Sequence, residues 1–285
     1  MNVLVTGSTG FTGPYLMKEL KLRGHSVAGL KSNLLNMSDV ENEVKKINPD
    51  HVLHLGGLSH LTSNHYRDLY EVNTVGSLNL LNALNNKCSN TKSIFLASTA
   101  YVYGACSNII SENSELCPDS HYAMSKLSME YLCKSNTDRI KIVVLRPFNY
   151  TGHGQNTKFF IPKIIQLFSE RQNPIELGNL NVEREFNDVN WFVSVIVSLL
   201  EIPNTRGTFN ICTGISYKLT QILKILEKIS DHKPLIKVKN ELIRKDEKIK
   251  ICGDSKKLFN HLISHGLLPK IPTIETTLME MFNKQ

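Results

Sequence analysis

The feature that most limits what this chain can fold into is its N-terminus. Residues 2–6 (Asn2-Val-Leu-Val-Thr6) form an apolar run that predicts a short buried strand, and Leu16, Met17, Leu20 and Leu22 carry the spacing of an amphipathic helix. Between them lies Gly7-Ser-Thr9-Gly10-Phe11-Thr-Gly13. A strand that turns through glycines directly into a helix makes a βα unit with its loop at the carboxyl end of the strand. Each glycine has a physical task there. Gly7 permits the tight turn, Gly10 lets backbone N–H groups approach a pyrophosphate, and Gly13 lets the helix pack close on the strand. With Thr9 and Phe11, these glycines are the candidate dinucleotide loop, although the spacing is GxxGxxG rather than GxGxxG.

Strand-like and helix-like runs then alternate: Ser26 to Leu30, Asp39 to Ile47, His51 to Leu55, a helix through Tyr70 to Leu84, Ile94 to Ala97, a helix through Tyr122, and Ile140 to Leu145. That rhythm predicts an α/β fold with a Rossmann-type doubly wound parallel sheet. It breaks after Asn149, where a helix from Phe159 to Arg171 and a loop around Leu177 to Leu180 follow. The chain returns to the sheet near Thr208 to Cys212 and then enters a C-terminal lobe with a helix from Leu219 to Ile229. The expected division is residues 1–149 plus about 186–212 as a dinucleotide-binding domain, with 150–185 plus 213–285 as a smaller α/β substrate-binding lobe.

With 285 residues, 41% of them hydrophobic, the chain can bury a core of that size. No apolar run reaches the ~18 residues of a membrane span, and the chain enters a strand at once, so neither a span nor a signal peptide is expected and the cytoplasm is the default location. Six cysteines lie scattered without a CxxC or a His/Cys cluster, which speaks against zinc and against a disulfide framework. The net charge of +7 is spread along the chain, and the modest concentration over Lys233 to Lys257 is interleaved with acidic residues and poor in aromatics. No nucleic acid is expected as a partner; the excess suits small anionic ligands.

Two further clusters carry chemistry. The strand from Ile94 ends in Ser98-Thr99, and ligands bind at strand carboxyl ends in open α/β sheets, so a hydroxyl there can donate to a substrate oxygen. Tyr122 and Lys126 are four apart, on one face of a helix. An ammonium beside a phenol favours phenolate and should pull a pKa of about 10 downward, toward the range of a general acid/base.

Glycine loop, Ser-Thr strand end and Tyr-x-x-x-Lys, in this order, resemble the extended short-chain dehydrogenase/reductase family that acts on nucleotide sugars. The resemblance runs the length of the chain through Thr6 to Gly13, Pro49-Asp-His-Val-Leu-His54-Leu55, Asn73-Thr-Val-Gly76, Ser98-Thr99, Tyr122/Lys126 and Arg146-Pro-Phe-Asn149-Tyr-Thr-Gly152. It implies Thr99, Tyr122 and Lys126 as catalytic residues. For the cofactor it implies Gly7, Thr9, Gly10, Phe11, Gly13, Lys31, Asn33, Leu55, Gly56, Asn73, Ser98, Tyr122 and Lys126. For the substrate it implies Thr99, Asn149, Arg184 and Arg244, the arginines gripping a diphosphate. One departure is His54-Leu55-Gly56-Gly57, where the family usually has His-Leu-Ala-Ala. Relatives commonly dimerise through the helices that here run over Asn73 to Leu84 and Tyr122 to Cys133, so a homodimer is expected. Leu127, Met129 and Leu132 could serve either that contact or the core.

Family sites that prefer NAD place an acidic residue after the second strand, whereas this chain reads Leu30-Lys31-Ser32, so NADPH is expected over NADH. Sugar 4,6-dehydratases need an acid and a base where this chain has Ala100 and Tyr101. The epimerase-reductases that make GDP-fucose need a cysteine at Ala100 and a histidine near Lys158-Phe159-Phe160. What the resemblance leaves is reduction of a nucleotide-linked 4-keto-6-deoxy sugar. The nearest likeness is to reductases converting GDP-4-keto-6-deoxy-D-mannose to GDP-D-rhamnose, with dTDP- or CDP-linked 4-keto sugars as the alternative. An NAD-retaining 4-epimerase and a non-catalytic NADP sensor are the rival readings.

Overall fold

A computed structural model of the chain describes residues 1–59, 65–104, 109–243, 248–267 and 269–284. Its first part alternates β1 (Asn2–Thr6), α1 (Thr12–Leu22), β2 (Ser26–Gly29), α2 (Met37–Ile47), β3 (His51–His54), α3 (Tyr66–Tyr70), α4 (Gly76–Lys87), β4 (Ser93–Ala97), α5 (His121–Ser135) and β5 (Lys141–Pro147). The remainder brings β6 (Tyr150–Thr151), α6 (Phe160–Ser169), β7 (Ile175–Leu177), β8 (Glu183–Glu185), β9 (Asn187–Asp188), α7 (Val189–Glu201), β10 (Gly207–Ile211), β11 (Ser216–Lys218), α8 (Leu219–Ser230), β12 (Ile236–Val238), β13 (Lys250–Ile251), α9 (Lys256–Ile263) and α10 (Ile274–Phe282).

Six strands form one parallel sheet in the order β10-β5-β4-β3-β1-β2. Its strands are apolar on both faces because both faces are covered. Val3, Val5, Leu53, Phe95 and Leu145 point to a layer built by α1 and α7, through Leu16, Leu20, Phe192 and Ile196. Leu4, Val52, Ile94 and Leu96 alternate to the other side, against Val40 and Val44 of α2, Leu80 and Leu84 of α4, and Met129 of α5. The chain leaves β1 for β2 on one side and returns to β3 on the other, so the carboxyl ends of β1 and β3 flank the switch point where ligands bind in such sheets.

The second lobe packs α6, α8 and α10 around Ile164, Phe168, Ile222, Leu226 and Leu278, with the pair β12-β7 and the three-stranded sheet β11-β8-β13. Helix α9 departs from the expected division, since its Leu258 and Leu262 sit in the core cluster of the large sheet. The single helix expected over Tyr70 to Leu84 is also different. It is interrupted by a π-helical turn over Glu71–Val75, which faces Asn73 and Thr74 toward α5. Asn73 Nδ2 donates to Ser125 Oγ at 3.0 Å, and the Thr74 hydroxyl donates to the Ser125 carbonyl at 2.9 Å. Inserted π turns of this kind recur at functional sites. No helix among the described residues is long and apolar enough to cross a membrane.

Candidate active site

The glycine loop has the geometry its spacing predicts. Gly7 adopts φ +68°, and a Cβ there would lie 2.9 Å from the Gly56 nitrogen. A Cβ on Gly13 would overlap the Ser8 carbonyl, while Thr9 and Gly10 stay exposed at the loop tip. Helix α1 starts behind it with no side-chain cap and no acidic residue in its first turn, leaving backbone donors and the positive end of the helix dipole for an anion. Phe11 stacks on Tyr150 at 6.0 Å between centroids, and the Tyr150 hydroxyl is 2.8 Å from Thr12 Oγ1. The residues present therefore fit the pyrophosphate of a dinucleotide.

The second wall follows β3. Gly56 N–H donates to Thr6 Oγ1 at 2.9 Å, and Asn73 holds Leu58 by both its N–H (2.7 Å) and its carbonyl (3.0 Å). The glycine pair departing from the family pattern has a reason: a Cβ on Gly56 would sit 2.8 Å from Thr6 Oγ1, and one on Gly57 would sit 2.7 Å from Asn73 Oδ1 and 3.0 Å from Lys126 Nζ. Bare backbone lets this loop close against the lysine. Asn73 thus holds the wall from behind, and Leu55 and Gly56 lie partly exposed on it.

At the end of β4, the Thr99 hydroxyl hydrogen-bonds the Tyr122 phenol, and Lys126 lies one turn further along α5. Ser120 caps α5, accepting the Ala123 N–H, and the buried stripe Ser125, Lys126, Met129, Glu130 and Cys133 turns the face of Lys126 toward the sheet. Lys126 Nζ donates to the Ala97 carbonyl at 2.8 Å. Burial depresses its pKa to about 8, with the Glu130 carboxylate opposing that shift. Tyr122 moves the other way from the expectation. Burial pushes its phenol above the ordinary range, the nearby Tyr150 and Tyr101 phenols add to this, and only the Thr99 hydroxyl opposes it. Desolvation of the phenolate outweighs any help from the lysine, whose ammonium is turned to Ala97.

Ser98 is placed behind the site, not in it. Its hydroxyl is buried and donates to Glu130 Oε1 at 2.5 Å, and Glu130 pairs with Arg146 of β5 at 2.6 Å. Arg146 in turn donates to the Tyr103 hydroxyl, which donates to Asn210 of β10 at 2.6 Å. This buried chain locks the Ser98-Thr99 strand end to α5 and β5. Glu130 follows Lys126 by four residues, the one sequence signal that could have revealed it. Tyr101 was also missed as a contact. It follows Thr99 on a short turn, its hydroxyl lies 3.4 Å from Asn149 Oδ1, and Lys248 Nζ stands 5.7 Å over its ring.

Among the substrate residues, Asn149 follows β5, and its carbonyl accepts the Asn187 N–H at 2.9 Å. Arg184 on β8 donates to the carbonyls of Glu183 and Ile249. Arg244 lies outside the described residues. Asn33 is exposed beyond β2 with its Oδ1 turned to the Leu35 N–H. Beside it, the premise for Lys31 changes. The missing carboxylate at this strand end is present in space, because Glu43 of α2 accepts the N–H groups of Lys31 (3.0 Å) and Ser32 (2.8 Å).

A doubly wound sheet with an uncapped glycine loop at its switch point and a Thr, Tyr, Lys cluster at the end of a central strand defines a dinucleotide-dependent oxidoreductase. The chain belongs to the NAD dependent epimerase/dehydratase family, whose sequence profile matches residues 3–212. It is 34% identical to the GDP-6-deoxy-D-talose 4-dehydrogenase of Aggregatibacter actinomycetemcomitans, over 100% of this chain and 98% of the relative. It is 28% identical to the GDP-6-deoxy-D-mannose reductase of Pseudomonas aeruginosa, over 97% of this chain and 94% of that one. The structure of RMD from Pseudomonas aeruginosa complexed with NADPH matches with a TM-score of 0.88 at 26% identity, covering 99% of this chain and 97% of the other. This is an enzyme of an NAD(P)-dependent, nucleotide-sugar-modifying family.

Proposed function

We propose that the protein reduces the 4-keto group of a nucleotide-linked 4-keto-6-deoxy sugar with a reduced nicotinamide dinucleotide, GDP-4-keto-6-deoxy-D-mannose being the first substrate to test. The observation that carries this reading is the placing of Thr99, Tyr122 and Lys126 at the carboxyl end of β4, with the Tyr122 phenol hydrogen-bonded to the Thr99 hydroxyl and Lys126 Nζ on the Ala97 carbonyl. A protonated phenol is poised to give a proton to a carbonyl oxygen as hydride arrives at its carbon, the reduction direction. Thr99 polarises that oxygen, Tyr122 protonates it, and Lys126 offers a donor to the nicotinamide ribose. The bound dinucleotide supplies the hydride. Asn149 and Arg184 face the diphosphate in this reading, with Arg244 as their sequence-inferred partner. Lys31 favours NADPH and Glu43 favours NADH as the donor.

The sequence likeness points to GDP-D-rhamnose as product. A second reading is supported by the 34% identical relative, whose name carries the talo sugar. Deoxymannose and deoxytalose differ only at C4, so both come from one 4-keto sugar by hydride delivery to opposite faces. Incubation with GDP-, dTDP- and CDP-linked 4-keto-6-deoxy sugars, with NADPH and NADH in turn, tests the proposal by the NMR signature of the product. A C4 alcohol on a GDP-6-deoxyhexose is the expected result. Turnover only with another nucleotide would move the substrate, and no reduction of any of them would end the proposal.

A further inference from the structure

Glu43 is in an unusual place for a helix carboxylate. It reaches back from the second turn of α2, 11 and 12 residues along the chain, to the loop that ends β2. There it accepts three hydrogen bonds: from the Lys31 N–H at 3.0 Å, from the Ser32 N–H at 2.8 Å and from the Ser32 hydroxyl at 2.5 Å. The Lys31 ammonium is close enough to act on it electrostatically. Burial opposes ionisation, but the bonds from Ser32 and Lys31 hold its carboxyl below the usual range. The position of this cluster is fixed by the glycine loop. Leu30 N–H bonds the Val5 carbonyl at 2.9 Å, and a Cβ on Gly29 would overlap the Ser8 hydroxyl of that loop. The carboxylate therefore stands at the carboxyl end of β2, beside the pyrophosphate loop, where a doubly wound sheet reads the adenosine ribose.

We propose that Glu43 is the cofactor-selecting residue of this enzyme, reading the ribose 2′,3′-diol of NADH and rejecting the 2′-phosphate of NADPH. The two donors a phosphate would use, the Lys31 and Ser32 N–H groups, are already taken by the carboxylate. The Lys31 charge is shared with it. An incoming phosphate meets a fixed negative charge, whereas a ribose hydroxyl can donate to the lone pair that remains on Oε1. The inference reverses the preference expected from Lys31, because the selecting carboxylate comes from the following helix instead of the strand end.

The proposal rests on the dinucleotide reading of the fold, and equilibrium binding separates the two. Isothermal titration of the protein with NADH and with NADPH, without sugar, should show NADH tighter by at least about tenfold. Glu43→Gln should narrow or invert that ratio while NADH still binds. NADPH binding as tightly as NADH in the unmodified protein would overturn the proposal, and so would a ratio unchanged in Glu43→Gln. The unmodified ratio decides even if that variant folds poorly, and Lys31→Ala should then leave the preference for NADH in place. Failure of both dinucleotides to bind would remove the dinucleotide reading itself.

Discussion

At the scale of single residues, the chemistry turns on where Tyr122 keeps its proton. Spacing alone suggests a phenol softened by Lys126; in space the lysine hydrogen-bonds Ala97, and burial of the phenol decides. A phenol carries its proton at neutral pH, as donation to a ketone oxygen requires, and Tyr122→Phe removes that donor without touching the glycine loop. Its turnover should fall by about 10²–10⁴, with dinucleotide affinity by titration nearly unchanged. Turnover at the original level would rule out this phenol as the donor. Thr99, Tyr122 and Lys126 could be read from sequence because one helix turn and one strand end place them. Glu43 could not, because its role depends on α2 folding back over a loop that local pattern does not describe.

Between elements, a hydrogen-bonded chain ties the cofactor loops to the sheet. Gly56 N–H donates to Thr6 Oγ1, and Thr6 Oγ1 lies 2.6 Å from His54 Nδ1. His54 Nε2 lies 2.7 Å from Ser77 Oγ, which donates to the Asn73 carbonyl at 2.6 Å. Because the Ser77 proton is committed to Asn73, Nε2 must carry the imidazole proton and Nδ1 must accept from Thr6. A second proton on Nδ1 would displace the Thr6 hydroxyl proton from its partner, and burial, aided by Lys126, lowers the His54 pKa to about 3. The unfolded chain takes up that proton near pH 6.5 and the folded one does not, so stability is complete above that pH and falls as pH drops toward 3. The slope from this group approaches about 1.4 kcal/mol per pH unit. Urea unfolding at several pH values should show it, and His54→Gln should flatten it; equal slopes in the two proteins would contradict this role. The elements around this chain were legible because β1, β3 and β4 are apolar runs bounded by turn residues. The π turn was not, since Asn73 and Thr74 widen the helix to meet Ser125, a tertiary demand. The second lobe stayed largely hidden as well. Its strands β7, β8, β12 and β13 are two or three residues long, too short for a period to show.

For the molecule as a whole, the two layers and the lobe leave an apolar face of α5 uncovered. Met129 is fully buried and Leu127 packs inward, but Tyr131 (62% exposed), Met124 (42%) and Leu132 (39%) of α5 face outward, with Val75 (47%) of the π turn. Met124 and Tyr131 are seven apart and share a helix face. The expected homodimer would bury them, so light scattering should give twice the chain mass and Tyr131→Glu should shift it toward monomer; a monomer before substitution would refute this use of the face. Net reduction, the proposed reaction, leaves the dinucleotide oxidised, whereas isomerisation of the sugar would return it unchanged. The direct measurement is the amount of reduced nicotinamide consumed per GDP-4-keto-6-deoxy-D-mannose converted, with added dinucleotide in excess. One dinucleotide oxidised per C4 alcohol formed is the result the account predicts. Sugar isomerised with no net oxidation of the dinucleotide, or no consumption at all, would contradict it.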